Sequence, residues 1–326
     1  FSLPEYGHVC PAKQRDDGKG DGRYRHGDGD EDFSFGRLFH AKRSDRDGLT
    51  KIIMKGKKRI YSTSIDTKTV FMETMNPTRL SCSPDMLASG YVIPMDQTGL
   101  LSLEGEDAVR FIHGQLSNDI EHLDGKSARL AAYCTPQGRM LARFCVWKSA
   151  GKVWMSLPAD ILDALKKRLQ IYILRAKVVL SDERGNVRLA GIGGKRAAAS
   201  LSRWFPDLPD VVYGKTENEN GVLVRMADAF GAPRYLLAVS ALRYQAMYDA
   251  LASELPVCGA DGWTLGDIEA GVPDITLAVQ DRFVPQMVNL EEAGGLSFTK
   301  GCYPGQEVIA RSQFRGAVKR KLFHGY

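Results

Sequence analysis

The sequence predicts an α+β fold with antiparallel sheets and helices stacked in layers, and three observations lead to that class. From about Gly90 onward, short apolar runs of strand character come in neighbouring pairs divided by turn residues. Helical periodicity follows the paired runs instead of alternating with single strands, which separates the chain from a doubly wound parallel sheet. The cycle of strands and helix then repeats in the second half.

The first cycle opens with YVIPMDQTGLLSLEGEDAVRFIHGQL, read as short strands leading into a helix. Glu106 and Asp107 fall at that helix's start, where carboxylates suit the positive end of the dipole. ARLAAYCT and GRMLARFCVWK are strand-like runs on either side of Pro136-Gln137-Gly138, a turn signal, and VWMSLP is a further strand. Pro158-Ala159-Asp160 starts a helix in which Ile161, Leu162, Leu165, Leu169 and Ile173 recur at helical spacing. KVVLSDE and VRLAGIG return to strands. In the second cycle KRAAASLSRWF reads as a helix, and GVLVRMAD with PRYLLAVS as a hairpin around Phe230-Gly231-Ala232. Another helix, SALRYQAMYDALASE, takes Ser240 as its N-cap. From Gly262 the sequence predicts one short helix and then loops.

The start of the chain has a different character. Residues 13–32, KQRDDGKGDGRYRHGDGDED, mix glycine with charge and show no apolar period, so they cannot bury enough surface to offset their ordering entropy. Their acids argue against a transit peptide. DGDGDED lacks the spacing and distal glutamate of a calcium loop. Residues 51–85 are also poorly patterned. The expectation is a poorly ordered leader over residues 1–89, with translation from upstream of a true start near Met86 or Met95 as one reading; Phe1 in place of Met suggests a fragment or an unusual reading frame.

Bulk composition narrows the function. Across 326 residues, 44% apolar content fills real cores, and no stretch is long and apolar enough to span a bilayer. A net charge of +5 favours acidic small molecules or a weak nucleic-acid contact, but falls short of a nucleic-acid-binding signature. The six cysteines form no C-x-x-C pair and no zinc spacing, so no metal site is expected. Their sparseness points to a reducing, cytoplasmic setting.

Three motifs remain. In KGCYPGQE, Gly301 and Gly305 free the backbone on both sides of Cys302, Pro304 stiffens the bend, and Lys300 favours a thiolate. Gln306 and Glu307 complete the octet. The alternative is a buried thiol in a tight turn. AGIGGKRAA misses the phosphate-loop pattern, because Ala197 stands where a hydroxyl is needed, and reads as a strand-to-helix turn. His113 has no acid or nucleophile beside it in sequence and reads as structural or surface. The run RSQFRGAVKRKLFHGY interleaves bases and aromatics as RNA-gripping tails do, but the alternation of Val318, Arg320 and Leu322 favours an edge strand.

FVPQMVNLEEAGGLSFTKGCYPGQEVIAR (283–311) resembles the signature of the YgfZ family, folate-binding proteins related to the glycine cleavage T-protein, an aminomethyltransferase. GEDAVRFIHGQLSNDI, AAYCTPQGRMLARF and DIEAGVP are similar as well, and the likeness covers residues 90–326. It implies a T-protein-like folate-binding region over 90–312, with ferredoxin-like subdomains around a central channel. Residues 313–326 would be the first strand of a C-terminal barrel that is largely missing. The T-protein carries adjacent aspartates where this chain has Ala142 and Arg143, and a pterin-recognising glutamate with no counterpart in RMADAFGAPRYLL. Ala accepts no hydrogen bond and Arg has the opposite charge, so aminomethyl transfer is not expected. Asn118 and Asp119 match the T-protein's Asn-Asp pair and Arg225 an arginine before its substrate turn; with Gln115 they are the folate candidates.

The resemblance implies a folate-dependent accessory factor, using tetrahydrofolate or a one-carbon derivative. It would sustain iron–sulfur cluster assembly or repair in client enzymes, including those that thiolate tRNA, alongside cluster-assembly proteins. Cys302 would be its working thiol and Lys300 the thiolate stabiliser. Two alternatives stay open: a folate-dependent one-carbon transferase using Asp119, and an RNA-binding protein acting in tRNA modification through its basic C-terminal run.

Overall fold

The structure, a computed structural model, describes residues 81–314 and 321–323, together with two short strands, β1 (Lys55–Gly56) and β2 (Arg59–Ile60), paired antiparallel. Apart from those strands, the expected leader over residues 1–80 lies outside the described residues. Its last part differs from expectation, because Pro84–Ser89 form a helix, α1. Ser83 caps it by accepting from Met86 N, Pro84 sits at its start, where a missing N–H costs nothing, and Leu87 is buried. Cys82, just before α1, is bonded to Cys258, with Cα atoms 5.6 Å apart. Ser81 adds a clasp, since its N–H and hydroxyl donate to the two oxygens of Asp261, each at 2.7 Å. Sequence spacing gave no sign of this pairing, since the two positions lie 176 apart, and the bond runs against the reducing setting read from the sparse cysteines.

In chain order the first cycle runs β3 (Tyr91–Pro94), β4 (Thr98–Glu104), α2 (Ala108–His113), β5 (Ala128–Cys134), β6 (Met140–Ser149), β7 (Lys152–Pro158), α3 (Ala159–Ile173) and β8 (Val179–Asp182). The second runs β9 (Val187–Gly193), α4 (Ala197–Leu201), β10 (Lys215–Asn218), β11 (Gly221–Ala229), β12 (Ala232–Ser240) and α5 (Ala241–Ala252). α6 (Ala260–Glu269) and α7 (Gln306–Phe314) follow. The paired runs and the turn at 136–138 fall where the alternation placed them. Ser240 precedes α5, but its side chain makes no capping bond. β10 and α7 are additions to the expected set.

Two five-stranded antiparallel sheets result, ordered β5-β6-β7-β4-β8 and β10-β11-β12-β9-β3. The first sheet sets β7 beside β4 and the second sets β12 beside β9; β8 is the edge next to β4, and β3, from the first cycle, is the edge of the second sheet next to β9. Alternation of side chains then decides what each face meets. On β6, Ala142, Phe144 and Val146 pack towards α2 and α3, while Cys145 and Trp147 point the other way. On β12, Tyr235, Leu237 and Val239 pack against α4 and α5, while Leu236 and Ala238 point away from them. The two inward faces share one core, which also takes in Trp263 of α6 and Ile309 of α7.

No closed barrel occurs among the described residues. The expected C-terminal strand began at 313, but Gln313 and Phe314 end α7, and residues 315–320 lie outside the described residues. The described stretch 321–323 is not a strand; it is held by Leu322 N donating to Met287 O and by Asn289 donating to Leu322 O. No helix among the described residues is long and apolar enough to cross a membrane.

Candidate functional site

The thiol loop sits where the chain turns into α7. Gly305 takes a φ of +83°, and a Cβ there would lie 2.5 Å from Thr135 O, so only glycine lets the loop close on the 135–138 turn. Tyr303 turns inward to the shared core, and Cys302 is exposed on the outside. Lys300 makes its hydrogen bonds away from the sulfur, although Cys302 is among the charges that act on its ammonium. Its buried ammonium donates to His113 O and, at 2.6 Å, to Leu116 O, and lies 5.1 Å from the centre of the Tyr303 ring. Burial lowers its pKa to about 8, against the opposing pull of Asp119.

Those two carbonyls belong to the last residue of α2 and to the turn that follows it, and the turn is stitched to the thiol segment. Ser297 N donates to Ser117 O at 2.9 Å, and the Ser117 hydroxyl donates to Gly295 O at 2.7 Å. The Asn118 amide donates to Leu130 O and Gly294 O at 2.7 and 2.8 Å, so this buried side chain braces the turn. Partial burial works against the Asp119 carboxylate, but hydrogen bonds from the N–H and ring of His122, at 3.1 and 2.8 Å, outweigh it and lower its pKa. Gln115 is half-buried beside them.

The fold also gives His113 the acid neighbours that its sequence surroundings lack. Its Nδ1 is 3.4 Å from Asp119 and its Nε2 3.9 Å from Glu121. The same Nε2 would be 3.9 Å from a Cβ at Gly301. Cys302, Lys300, Gln115, Asn118 and Asp119 are thus brought to one region. Arg225 is elsewhere. It projects from the helix-covered face of the second sheet, donating to Asp210 O and pairing with Asp228 at 2.7 Å.

A second constellation lies between the sheets, and sequence reasoning found only one member of it. Arg143 and Arg234 occupy inward positions of β6 and β12, and Asp267 comes from α6; they are 8%, 1% and 7% exposed. Arg234 Nη2 donates to Asp267 at 2.9 Å, and Arg143 Nη2 lies 3.0 Å from Asp274 and 4.0 Å from Asp267. Burial disfavours the Arg143 cation, but Asp274 and then Asp267 outweigh it and raise its pKa; burial likewise raises that of Asp274, with Arg143 opposing. Trp263 lies beneath the Arg234 guanidinium at 4.8 Å.

Four polar groups are buried here: Arg143 Nε and Tyr213 OH have no hydrogen-bond partner, while Arg234 Nη1 and Tyr91 OH have none besides the approach of the Arg234 guanidinium to the Tyr91 hydroxyl. Burial pushes the Tyr91 hydroxyl up to about 12 and raises that of Tyr213 as well, so both are O–H donors. Tyr213 holds a φ of +62°, a conformation rare for an aromatic residue, fixed by its N–H donating to Arg225 O and its carbonyl accepting from Ala128 N. An unmet buried donor costs about 1–3 kcal/mol, and a cluster of such donors around Asp267 is suited to a ligand rich in acceptors. Lone charges at inward positions of apolar strands, Arg143 in LARFCVW and Arg234 in PRYLLAVS, were the signal available in the sequence. Tyr91 and Tyr213 gave none.

No family model matches the chain. The tRNA-modifying protein YgfZ of Yersinia pseudotuberculosis serotype O:1b (strain IP 31758) is 32% identical over 249 residues, 76% of this chain and 74% of that protein. The tRNA-modifying protein YgfZ of Sodalis glossinidius (strain morsitans) is 31% identical over 232 residues, covering 71% and 70%. Among solved structures, the glycine cleavage system aminomethyltransferase T from Bartonella henselae superposes with a TM-score of 0.58 at 16% identity, over 71% of this chain and 65% of that one. That likeness concerns the fold alone, and it is the T-protein-like fold expected from the resemblance.

Proposed function

The chain belongs to the YgfZ family, and from that premise we propose that it serves tRNA modification as a folate-binding accessory protein. In this reading it sustains iron–sulfur cluster assembly or repair in client enzymes, tRNA-thiolating ones among them. The observation that carries the folate assignment is the cluster of buried donors between the sheets, of which Arg143 Nε and Tyr213 OH have no partner. A pterin offers a carbonyl and ring nitrogens as acceptors, an amino group for a carboxylate, and a flat face for an indole. Arg143, Arg234, Tyr91 and Tyr213 would donate to it, Asp267 would accept from it, and Trp263 would flank it. A bound reduced folate would bring the one-carbon or redox chemistry. The chain's own part is to hold the ring away from water and to keep Cys302 outside as the working thiol.

Transferase chemistry is less well supported. Of the two positions that carry aspartates in the T-protein, Ala142 faces the helices and Arg143 brings a cation to the inner layer. Asp119, the substitute acid, is engaged with His122 and lies near Arg129.

The test is equilibrium dialysis with radiolabelled 5-formyltetrahydrofolate. Tyr213→Phe deletes a hydroxyl that bonds nothing in the protein, so the variant should melt no lower than the parent and bind about tenfold more weakly, as one lost buried hydrogen bond implies. Arg225→Gln should bind like the parent. Equal affinity of the Tyr213→Phe variant and the parent, or no binding by the parent, removes the folate reading. Separately, undiminished rescue of iron–sulfur enzyme activity by Cys302→Ala, in cells lacking the protein, removes the thiol.

A further inference from the structure

The segment that leads into β3 lies against the start of α6 and is pinned at both ends. At its β3 end, the carbonyls of Ala88 and Ser89 accept from Lys195 N and Arg196 N, each at 3.0 Å. At its other end, Cys82 is bonded to Cys258, the residue before Gly259, where α6 begins. Ser81 joins that pin: it donates twice to Asp261 in the first turn of α6, and its hydroxyl accepts from Gly259 N at 2.6 Å. Between the pins Leu87 is buried, and a Cβ at Gly262 would stand 3.2 Å from its Cδ2, so α1 and α6 are in close contact there.

The two pins differ in how they can be undone. Cys82 is 2% exposed, but Ser81 and residues 83–86 on either side of it are exposed, and so are the bonds that Ser81 makes. Local opening of that short end brings the disulfide to a reductant while both sheets stay formed. In the reducing setting read from the sparse cysteines, a disulfide is transient or redox-sensing more often than permanent. We propose that residues 81–89 are a redox-released strap over the start of α6, with Cys82–Cys258 as its catch. The reductant is a dithiol. Its thiolate attacks the Cys82 sulfur, Cys258 leaves as a thiolate and takes up a proton, and the second sulfur of the dithiol then displaces Cys82. Two electrons pass to the chain, which gains two thiols, and the reductant ends as a disulfide. Cys258 stays in place once the bond is cut, because its N–H donates to Val92 O on β3 at 2.9 Å. The end that comes free is the one carrying Ser81 and Cys82. Gly259 and Asp261 then lose their Ser81 partners, and α6, which brings Trp263 and Asp267 to the inner layer, is held less firmly. The consequence for a ligand in that layer rests on the folate reading.

The test is hydrogen–deuterium exchange on the full chain, oxidised and after excess dithiothreitol, with the state of Cys82 and Cys258 followed by differential alkylation and mass spectrometry. Reduction should speed exchange about tenfold or more in peptides spanning 84–90 and 259–266, and leave those of β4, β6 and β7 unchanged. Cys82→Ser should exchange like the reduced parent under both conditions. Ser81→Ala keeps the disulfide but loses the hydroxyl's bonds, so its disulfide should be reduced about fivefold faster than the parent's. A disulfide that stays intact in dithiothreitol while the chain is folded, equal exchange in the two states, or acceleration spread evenly over the chain overturns the strap. Equilibrium dialysis of both forms with 5-formyltetrahydrofolate then reads the inner layer, where the reduced form should bind about fivefold more weakly. Equal affinity of the two forms overturns the coupling of strap to site. Absence of binding by both forms removes the folate reading, while the exchange result still decides the strap, so the two failures are distinct.

Discussion

Lys300 is a cation that folding holds in a place where a cation is disfavoured. Its folded pKa of about 8 lies below its ordinary value of 10.5, so between those limits the unfolded chain binds the extra proton. Stability attributable to Lys300 is therefore lowest below pH 8, rises through the window and levels off above pH 10.5. Urea unfolding of the parent and of Lys300→Met should show a difference in unfolding free energy that grows in the parent's favour from pH 8 to 10.5; a constant difference argues against it. At this scale the sequence was informative where residue type and backbone need coincide. Gly301, Pro304 and Gly305 announced an exposed sulfur, and Cys302 is exposed. Lys300 was read as the sulfur's neighbour, but its long side chain is claimed by carbonyls almost two hundred residues away in sequence, which no local pattern encodes. The convergence of Tyr91, Tyr213, Arg234 and Asp267 depends on tertiary contact in the same way.

At the scale of elements, α6 is the piece that sets the inner layer. It lies close against the second sheet because Gly191 on β9 leaves room for the Trp263 ring, and its own Gly266 leaves room for the Arg234 guanidinium. A Cβ at Gly191 would stand 2.4 Å from Trp263, inside any real contact distance. Gly191→Ala should push α6 outward, cost about 1–3 kcal/mol through overpacking, and shift tryptophan fluorescence; an unchanged urea midpoint and spectrum would rule this out. Strands such as β6 and β12 were legible because each buries both faces with apolar residues of β character. β10, with the sequence KTEN, has no such pattern and is a strand only because the edge of β11 pairs with it. α7 follows Pro-Gly, which punctuates like a loop, and its apolar face is too short for periodicity to declare itself.

At the scale of the molecule, the Cys82–Cys258 bond ties the segment before α1 to the residue just ahead of α6, and both sulfurs are buried. Closing so long a loop restricts the unfolded chain, so the paired substitution Cys82→Ala with Cys258→Ala should lose about 2–4 kcal/mol. Coincident urea curves for the parent and the double variant would count against the bond as a stabilising link. The repeated cycle made the two-sheet plan readable from the text of the chain, since each half carries its own hairpins and its own amphipathic helix. What the halves do for each other was not readable, because it rests on which of two faces each strand turns inward. Arg143 comes from one sheet and Arg234 from the other, with one acid, Asp267, within 4.0 Å of both. Neither half owns that junction, so a guest lodged there would act as mortar: it would raise the melting temperature of both halves together, and its departure would loosen both at once.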